Sequence, residues 1–217
     1  MPTVGSRERR GIGMKRRIIF ATGNEGKMRE VREILRDINA DVLSMKEAGI
    51  DADIVEDGAT FEENAVIKAK AVAAAAAQAE AIVLADDSGL EVDYLNREPG
   101  IYSARYMGEG TSYDIKNKEI LARLAGVPDE ERTARFVCAI AAAFPDGTTQ
   151  VVRGTMEGII GHEIAGENGF GYDPIFYLPE YGCTSATLEP EKKNELSHRG
   201  EGLRKIRRIL EERAEII

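Results

Sequence analysis

The 217-residue sequence has no tryptophan, only two cysteines and only two histidines. With no Cys-x-x-Cys pair and no Cys/His spacing typical of zinc ligands, Cys138 and Cys183 predict neither a disulfide framework nor a zinc site. A reducing, cytoplasmic location is the default for such a chain. Long apolar runs are lacking too, because Lys70 and Glu80 interrupt the alanine-rich stretch over 69–81, so no membrane span is expected.

An excess of basic charge is also lacking, since 38 Asp and Glu residues outnumber 29 Lys and Arg residues and the formal net charge is −9. Proteins bind nucleic-acid polymers largely by neutralising phosphates with a basic face, so no nucleic-acid partner is expected. A small phosphorylated ligand is still compatible with this charge, because a local basic pocket and a metal ion can overcome the field of the whole protein.

Apolar residues make up 43% of the chain, enough for a substantial core. Strand-like and helix-like segments alternate, and two strand-like segments over 135–144 and 148–157 flank a Pro-Asp-Gly turn at 145–147, a hairpin signal. This order predicts an α/β fold with two lobes facing a cleft. Residues 1–16 are expected to be a flexible N-terminal extension and 17–217 a single two-lobed domain.

The remaining elements follow from hydrophobic periodicity and helix-capping signals. Thr60 and Glu63 form a capping-box pattern that opens an alanine-rich helix. The predicted strands cover 17–21, 41–43 and 81–85. The last of these ends in Asp86-Asp87-Ser88-Gly89, after which Leu90-Glu-Val continues either as a strand or as a turn. One predicted helix begins after Asn24, and the others cover Thr60 to about Glu80, 112–124 and 203–212.

A strand, a glycine-containing turn and a helix start follow one another from Phe20 to Lys27. The free N–H groups and partial positive charge of a helix N-terminus suit a phosphate, which Lys27 would reach from the first turn. Thr22 and Asn24 offer short polar side chains for the same anion. Alternatively, Thr22 or Asn24 only caps the helix and Lys27 is a surface residue. The P-loop spacing is absent.

Two adjacent carboxylates, Asp86 and Asp87, precede Ser88 and Gly89 at the end of a predicted strand. Ligands collect at such strand ends in open α/β sheets. Adjacent side chains of an extended segment point to opposite faces, so only one carboxylate faces a given site. A carboxylate here suits magnesium, which prefers oxygen ligands. The alternative is an ordinary Asp-Ser-Gly turn.

Two further segments carry groups suited to a base. In the glycine-rich loop over 166–174, Phe170 could stack on a base and Asp173 could accept hydrogen bonds from its edge. Lys193, His198 and Arg199 form a cationic group just before the predicted last helix. Alternatively, the loop is an ordinary tight loop with core aromatic residues, and the lone histidine is structural.

These segments resemble the inosine triphosphate pyrophosphatase family over about Arg17 to Leu210. The motifs that carry the resemblance are Thr22-Gly-Asn-Glu-Gly-Lys27, Phe61-Glu-Glu-Asn-Ala-Val-Ile-Lys-Ala69, Ala85-Asp-Asp-Ser-Gly-Leu90, Pro99-Gly-Ile-Tyr-Ser-Ala-Arg105, Gly169-Phe-Gly-Tyr-Asp-Pro174 and Ser197-His-Arg199.

The resemblance implies one catalytic domain with an elongated mixed sheet flanked by helices, and a homodimer. It implies magnesium-dependent hydrolysis of non-canonical purine nucleoside triphosphates (ITP, dITP and XTP) to the monophosphate and pyrophosphate, which cleanses the nucleotide pool. It assigns catalysis to Asp87, Lys27 and Lys68, and magnesium to Asp87 and Glu56. The implied substrate-binding residues are Thr22, Gly23, Asn24, Glu25, Gly26, Lys27, Ser88, Phe170, Gly171, Tyr172, Asp173, Lys193, His198 and Arg199.

Two other functions remain open. One is a pyrophosphatase for pyrimidine nucleotides, like the septum-site nucleotide hydrolases. The other is a nucleotide-binding module that retains the pocket without the chemistry, although loss of Asp87 or Lys27 would be expected there and both are present.

Overall fold

The computed structural model describes residues 16–76 and 80–213. The extension predicted over 1–16 lies outside this part of the chain except for Arg16, which already belongs to the first strand. The helices are α1 (Glu25–Ile34), α2 (Phe61–Ala75), α3 (Tyr113–Arg123), α4 (Pro190–Leu196) and α5 (His198–Glu212).

One mixed sheet organises the molecule. Its strands are β1 (Arg16–Phe20), β2 (Ala40–Ser44), β3 (Ile82–Val92), β4 (Glu98–Pro99), β5 (Thr133–Ala143), β6 (Thr149–Ile160), β7 (Phe176–Leu178) and β8 (Cys183–Thr184). The order is β2-β1-β3-β5-β6-β7-β8, with β4 beside β3. β1 runs parallel to β2 and β3, and the other pairs are antiparallel. The predicted α/β class, a mixed sheet flanked by helices, is confirmed.

The alternation of side chains along β3 divides the core. Ile82 and Leu84 point to one face, where they pack with residues of α1 and α5. Val83 and Ala85 point to the other face, where the alanine-rich α2 covers them. Further along, Leu90 lies in a third apolar cluster with residues of α3, β5 and β7. One strand therefore supports all three parts of the core.

The prediction that the second buried strand ends in Asp86-Asp87-Ser88-Gly89 is wrong, and of the two alternatives for Leu90-Glu-Val the strand is correct. β3 continues through Asp86 and Asp87 to Val92, because β5 pairs with it without interruption from Val83 to Val92. Adjacent carboxylates and a glycine favour a turn in isolation, but the pairing supplies their backbone hydrogen bonds. The two carboxylates consequently lie within a central strand and not at its end.

Two helix boundaries also differ from the predictions. α2 ends at Ala75, before the predicted Glu80, and no glycine or proline in the alanine run marks that end. α5 begins at His198, five residues before the predicted start, because Ser197 caps it by accepting from the N–H of Gly200 at 2.9 Å. No helix of the described residues is long and apolar enough to cross a membrane.

Candidate active site

A cavity of about 460 Å³ lies where the turn before α1, the middle of β3, the glycine-rich loop and the start of α5 meet. Glu25, Gly26 and Asp87 are the predicted site residues that do not line it. The predicted site residues in its wall are Thr22, Gly23, Asn24, Lys27, Glu56, Lys68, Ser88, Phe170, Gly171, Tyr172, Asp173, Lys193, His198 and Arg199.

The turn before α1 is preorganised by its own side chains. Asn24 is the N-cap and accepts from the N–H of Lys27 at 3.1 Å, while the hydroxyl of Thr22 accepts from the N–H of Asn24 at 3.1 Å. The capping alternative is thus correct for Asn24. It does not remove the phosphate-binding potential, because Lys27 lies in the cavity wall beside the helix start and is not a free surface residue.

Asp86 pairs with two cationic residues of the cavity wall, Lys27 and Arg199. Its buried carboxylate lies 3.0 Å from Nζ of Lys27 and 3.3 Å from Nη2 of Arg199, and it accepts from the hydroxyl of Ser88 at 2.9 Å. Burial alone would raise the pKa of this carboxyl, but Lys27 and Arg199 hold it well below its usual value. Asp86 therefore stays ionised and fixes both cations.

Asp87 points to the opposite face of β3, as the alternation predicts. Its Oδ2 accepts from Nδ2 of Asn64 at 3.0 Å, and the Oδ1 of Asn64 accepts from the N–H of Gly58 at 2.8 Å. That bond ties the segment carrying Glu56 to the carboxylate. Burial raises the pKa of Asp87, and the nearby negative charge of Glu56 raises it further, which matches the requirements of a general base.

Lys68 connects the two carboxylate faces. Its Nζ lies 3.0 Å from Oε1 of Glu56 and donates to the backbone carbonyl of Asp86 at 3.1 Å. The i, i+4 relation of Asn64 and Lys68 on α2 places both side chains against β3. Lys68 lies in the cavity wall, whereas Asn64 does not line the cavity.

In the cavity wall next to the start of α1, Phe170 lies between two glycines with positive φ, Gly169 (77°) and Gly171 (71°). Its ring is 5.1 Å from Nζ of Lys193 and 5.7 Å from the guanidinium carbon of Arg199. A Cβ at position 169 would lie 2.3 Å from a carboxylate oxygen in the same loop, so only glycine fits there. The loop thus presents a partly exposed aromatic ring to the cavity.

Asp173 is engaged inside the protein. Its Oδ2 accepts from Nζ of Lys193 at 2.7 Å and from the N–H of Phe170 at 2.8 Å, and its Oδ1 accepts from the hydroxyl of Ser185 at 2.8 Å. These bonds make Asp173 the residue that shapes the loop. Contact with a base edge would have to use the remaining acceptor capacity of these oxygens.

His198 is not part of a cationic group. Its ring is buried and stacks on Phe136 with centroids 4.9 Å apart. Burial and the positive charges of Arg199 and Lys193 lower the pKa of His198 well below its usual value, so the imidazole is neutral at physiological pH. Among the described residues nothing hydrogen-bonds to its Nδ1. The residue also belongs to the first turn of α5, not to a segment before it.

Some wall residues were missed by the sequence reasoning. Glu30 forms ion pairs with Arg199 and, at 3.4 Å, with Lys193, and its i, i+3 relation to Lys27 on α1 was a usable signal. Tyr113 and Ser103 also line the cavity. Ser103 belongs to the motif Pro99-Gly-Ile-Tyr-Ser-Ala-Arg105, which was a usable signal, whereas no local pattern connects Tyr113 with the site.

Comparisons with known proteins bear on the family of the chain. The model of the Ham1 family matches residues 18–209. The dITP/XTP pyrophosphatases of Clostridium perfringens and Desulforamulus reducens are 46% and 48% identical to this chain, over 88% and 89% of it and 96% and 95% of their own lengths. The Ham1 protein of Staphylococcus aureus has a similar structure, with a TM-score of 0.80, 43% identity and coverage of 91% of this chain and 100% of that one. A family match across nearly the whole chain, supported by a common fold, establishes that this chain is a member of the Ham1 family.

Proposed function

We propose that this protein is a nucleoside triphosphate pyrophosphatase that hydrolyses ITP, dITP and XTP to the monophosphate and pyrophosphate, and so cleanses the nucleotide pool. The observation that carries the proposal is the composition of the cavity wall. Lys27 and the start of α1, which suit a phosphate, lie beside the ring of Phe170, which suits a base, and Asp86 pairs with both Lys27 and Arg199. The names of the relatives support the same reaction and purine class.

The reaction requires water to attack the α-phosphorus while the bond to the bridging oxygen of the leaving pyrophosphate breaks. Asp87 would take the proton of that water, since its carboxylate oxygens keep acceptor capacity beyond the bonds from Nδ2 of Asn64 and the N–H of Ser88. Lys27 and the N–H groups at the start of α1 would stabilise the negative charge on the pyrophosphate. The active positions assigned by the resemblance thus acquire separate roles.

Magnesium fits the residues beside Asp87. No group of three or more His, Cys, Asp or Glu side chains suited to a metal occurs in the described parts of the chain. Asp87 and Glu56 would supply two carboxylates, and phosphate oxygens and water the remaining ligands, which is the usual arrangement for this ion. Glu56 raises the pKa of Asp87, so the pair is a negative site that a cation would stabilise. Bound magnesium would neutralise phosphate charge.

The choice of base would depend on hydrogen-bond donors. Inosine and xanthosine carry a 6-oxo group where adenosine carries an amine. Arg199 can only donate, so it favours the oxo group over the amine, whereas a neutral His198 donates from one nitrogen, accepts at the other and does not discriminate by itself. A buried site built for such bonds discriminates by about 10⁴ or more against a ligand that leaves them unpaired.

The decisive experiment is pyrophosphate release by the purified protein from ITP, XTP, dITP, ATP, GTP and a pyrimidine triphosphate, with magnesium and with a chelator. We expect magnesium-dependent release from the first three and little from the others. Equal rates on all six would leave the reaction intact and refute the base selectivity. Binding without any release would instead support the nucleotide-binding module.

We further propose a cytoplasmic homodimer as the working form, which the resemblance supports. Light scattering during size-exclusion chromatography would measure the mass directly. A species at the mass of one 23.8 kDa chain at working concentration would refute the dimer.

A further inference from the structure

Helix α3 holds two segments of the cavity wall by their backbone. Lys116 donates from Nζ to the carbonyl of Ala104 at 2.6 Å, and Asn117 donates from Nδ2 to the carbonyl of Gly171 at 3.1 Å. Ala104 and Gly171 both line the cavity, although they are far apart in sequence. Two consecutive residues of α3 therefore hold the segments that contain Ala104 and Gly171 against this one helix.

The two segments are also joined to each other. The hydroxyl of Tyr172 donates to the carbonyl of Ser103 at 2.8 Å. The ring of Tyr172 meets that of Tyr113, on α3, edge to face with centroids 5.2 Å apart. The helix, the segment 103–104 and the segment 171–172 thus form a closed set of contacts next to Phe170.

This arrangement costs stability. Lys116 is 2% exposed and forms no ion pair with a carboxylate of the described residues; besides the Ala104 carbonyl, its Nζ faces only the ring of Tyr113, at 4.7 Å. Asn117 is 3% exposed, and within the described chain its Oδ1 has no hydrogen-bond partner. Apolar residues at 116 and 117 would avoid both penalties, but they would leave the two carbonyls without donors.

We propose that Lys116 and Asn117 are positioning residues for the base: they set the placement of the segments 103–104 and 170–172 and thereby the fit of the purine ring. The inference rests on the proposed function, in which this end of the cavity holds the base. Neither residue touches the phosphate end around Lys27. Their loss should therefore weaken binding of the base without weakening binding of phosphate groups.

The test compares two ligands in Asn117→Ala and Lys116→Met by titration calorimetry with magnesium. Inosine monophosphate reports on the base end, and inorganic pyrophosphate reports on the phosphate end. Loss of one hydrogen bond to the wall predicts a Kd for inosine monophosphate raised roughly tenfold, with that for pyrophosphate within about twofold of the parent. Lys118→Met is the matched control, since Lys118 lies on the same helix, exposed and paired with Asp114, and should change neither Kd.

Asn117→Ala also removes the unpaired Oδ1, so we expect the thermal midpoint of this variant to stay near that of the parent. If Lys116→Met does not fold, the Kd values of Asn117→Ala alone test the inference. Equal weakening of the binding of both ligands would show a general structural role and overturn the inference. An unchanged Kd for inosine monophosphate in Asn117→Ala would also overturn it, as would failure of inosine monophosphate to bind the parent protein. Pyrophosphate release from ITP by the unaltered protein decides the proposed function separately.

Discussion

At the scale of single residues, the contrast between Asp86 and Asp87 is the most informative feature. Asp86 is surrounded by cations and ionised, whereas Asp87 faces an amide and another carboxylate and has a raised pKa. Adjacent positions of one strand therefore have different chemical roles, one electrostatic and one as a candidate proton acceptor.

We expect Asp87→Asn to lower kcat for pyrophosphate release from ITP by about 10²–10⁴-fold, the range for loss of a general base. The fold should persist, because an amide keeps the shape and removes a charge that burial disfavours. Steady-state kinetics and thermal denaturation measure the two effects. Asp57→Asn, a change of the same kind at an exposed neighbour of Glu56, should leave both unchanged. Parent-like kcat in folded Asp87→Asn would exclude Asp87 from the mechanism.

His198 predicts a pH dependence of stability. Above its usual pKa of 6.5 the imidazole is neutral in both folded and unfolded chains. Below that value the unfolded chain binds a proton that the buried ring does not, so the free energy of unfolding should fall by up to about 1.4 kcal/mol per pH unit.

Urea unfolding between pH 7 and pH 5 measures this contribution. We expect the stability difference between the parent and His198→Gln to shrink as the pH falls, because the variant lacks the titrating group. A constant difference for His198→Gln would contradict the neutral, buried assignment.

At the scale of elements, the close packing of α5 on β6 places the cationic end of the site. A Cβ at Gly154 of β6 would lie 2.1 Å from the carbonyl oxygen of His198, so no other residue fits without moving the first turn of α5. That turn carries Arg199, whose pairing with Asp86 depends on its position.

Gly154→Ala should therefore lower the free energy of unfolding by about 1–3 kcal/mol and raise KM for ITP, since the helix start must shift. Urea denaturation and steady-state kinetics measure the two effects. Gly161→Ala, just beyond the same strand, is the control, because its Cβ would meet its nearest neighbour at an ordinary 3.6 Å. If Gly154→Ala matched Gly161→Ala in both assays, the contact would not position the site.

At the scale of the whole molecule, β3 contributes side chains to all three apolar clusters. Unfolding of any one apolar cluster would therefore disrupt β3 and expose side chains of the other two clusters. We therefore expect one cooperative thermal transition, with equal calorimetric and van't Hoff enthalpies.

Two buried leucines of β3 test this coupling. Leu84 lies in the cluster under α5, and Leu90 lies in the cluster under α3. Leu84→Ala and Leu90→Ala should each destabilise the protein by about 2–5 kcal/mol and shift the whole transition. Separation into two transitions in either variant, measured by calorimetry, would show that the lobes unfold independently.

The sequence by itself determined the order of the longer strands and helices, the hairpin over β5 and β6, the cap of α2 and the opposite directions of Asp86 and Asp87, but it did not predict β4, β7, β8 or α4. These features depend on local periodicity and on capping or turn chemistry within a few residues. The motifs that carry the family resemblance were equally readable, because each is a short continuous segment.

Only the tertiary structure decided that β3 runs through the two carboxylates, that His198 is neutral and that Lys116 and Asn117 reach the cavity wall. Each of these depends on partners distant in the chain: β5 for the strand, Phe136 stacked on the buried imidazole, and the carbonyls of Ala104 and Gly171. Burial and charge are set by what surrounds a side chain after folding, and local sequence carries little information about those surroundings.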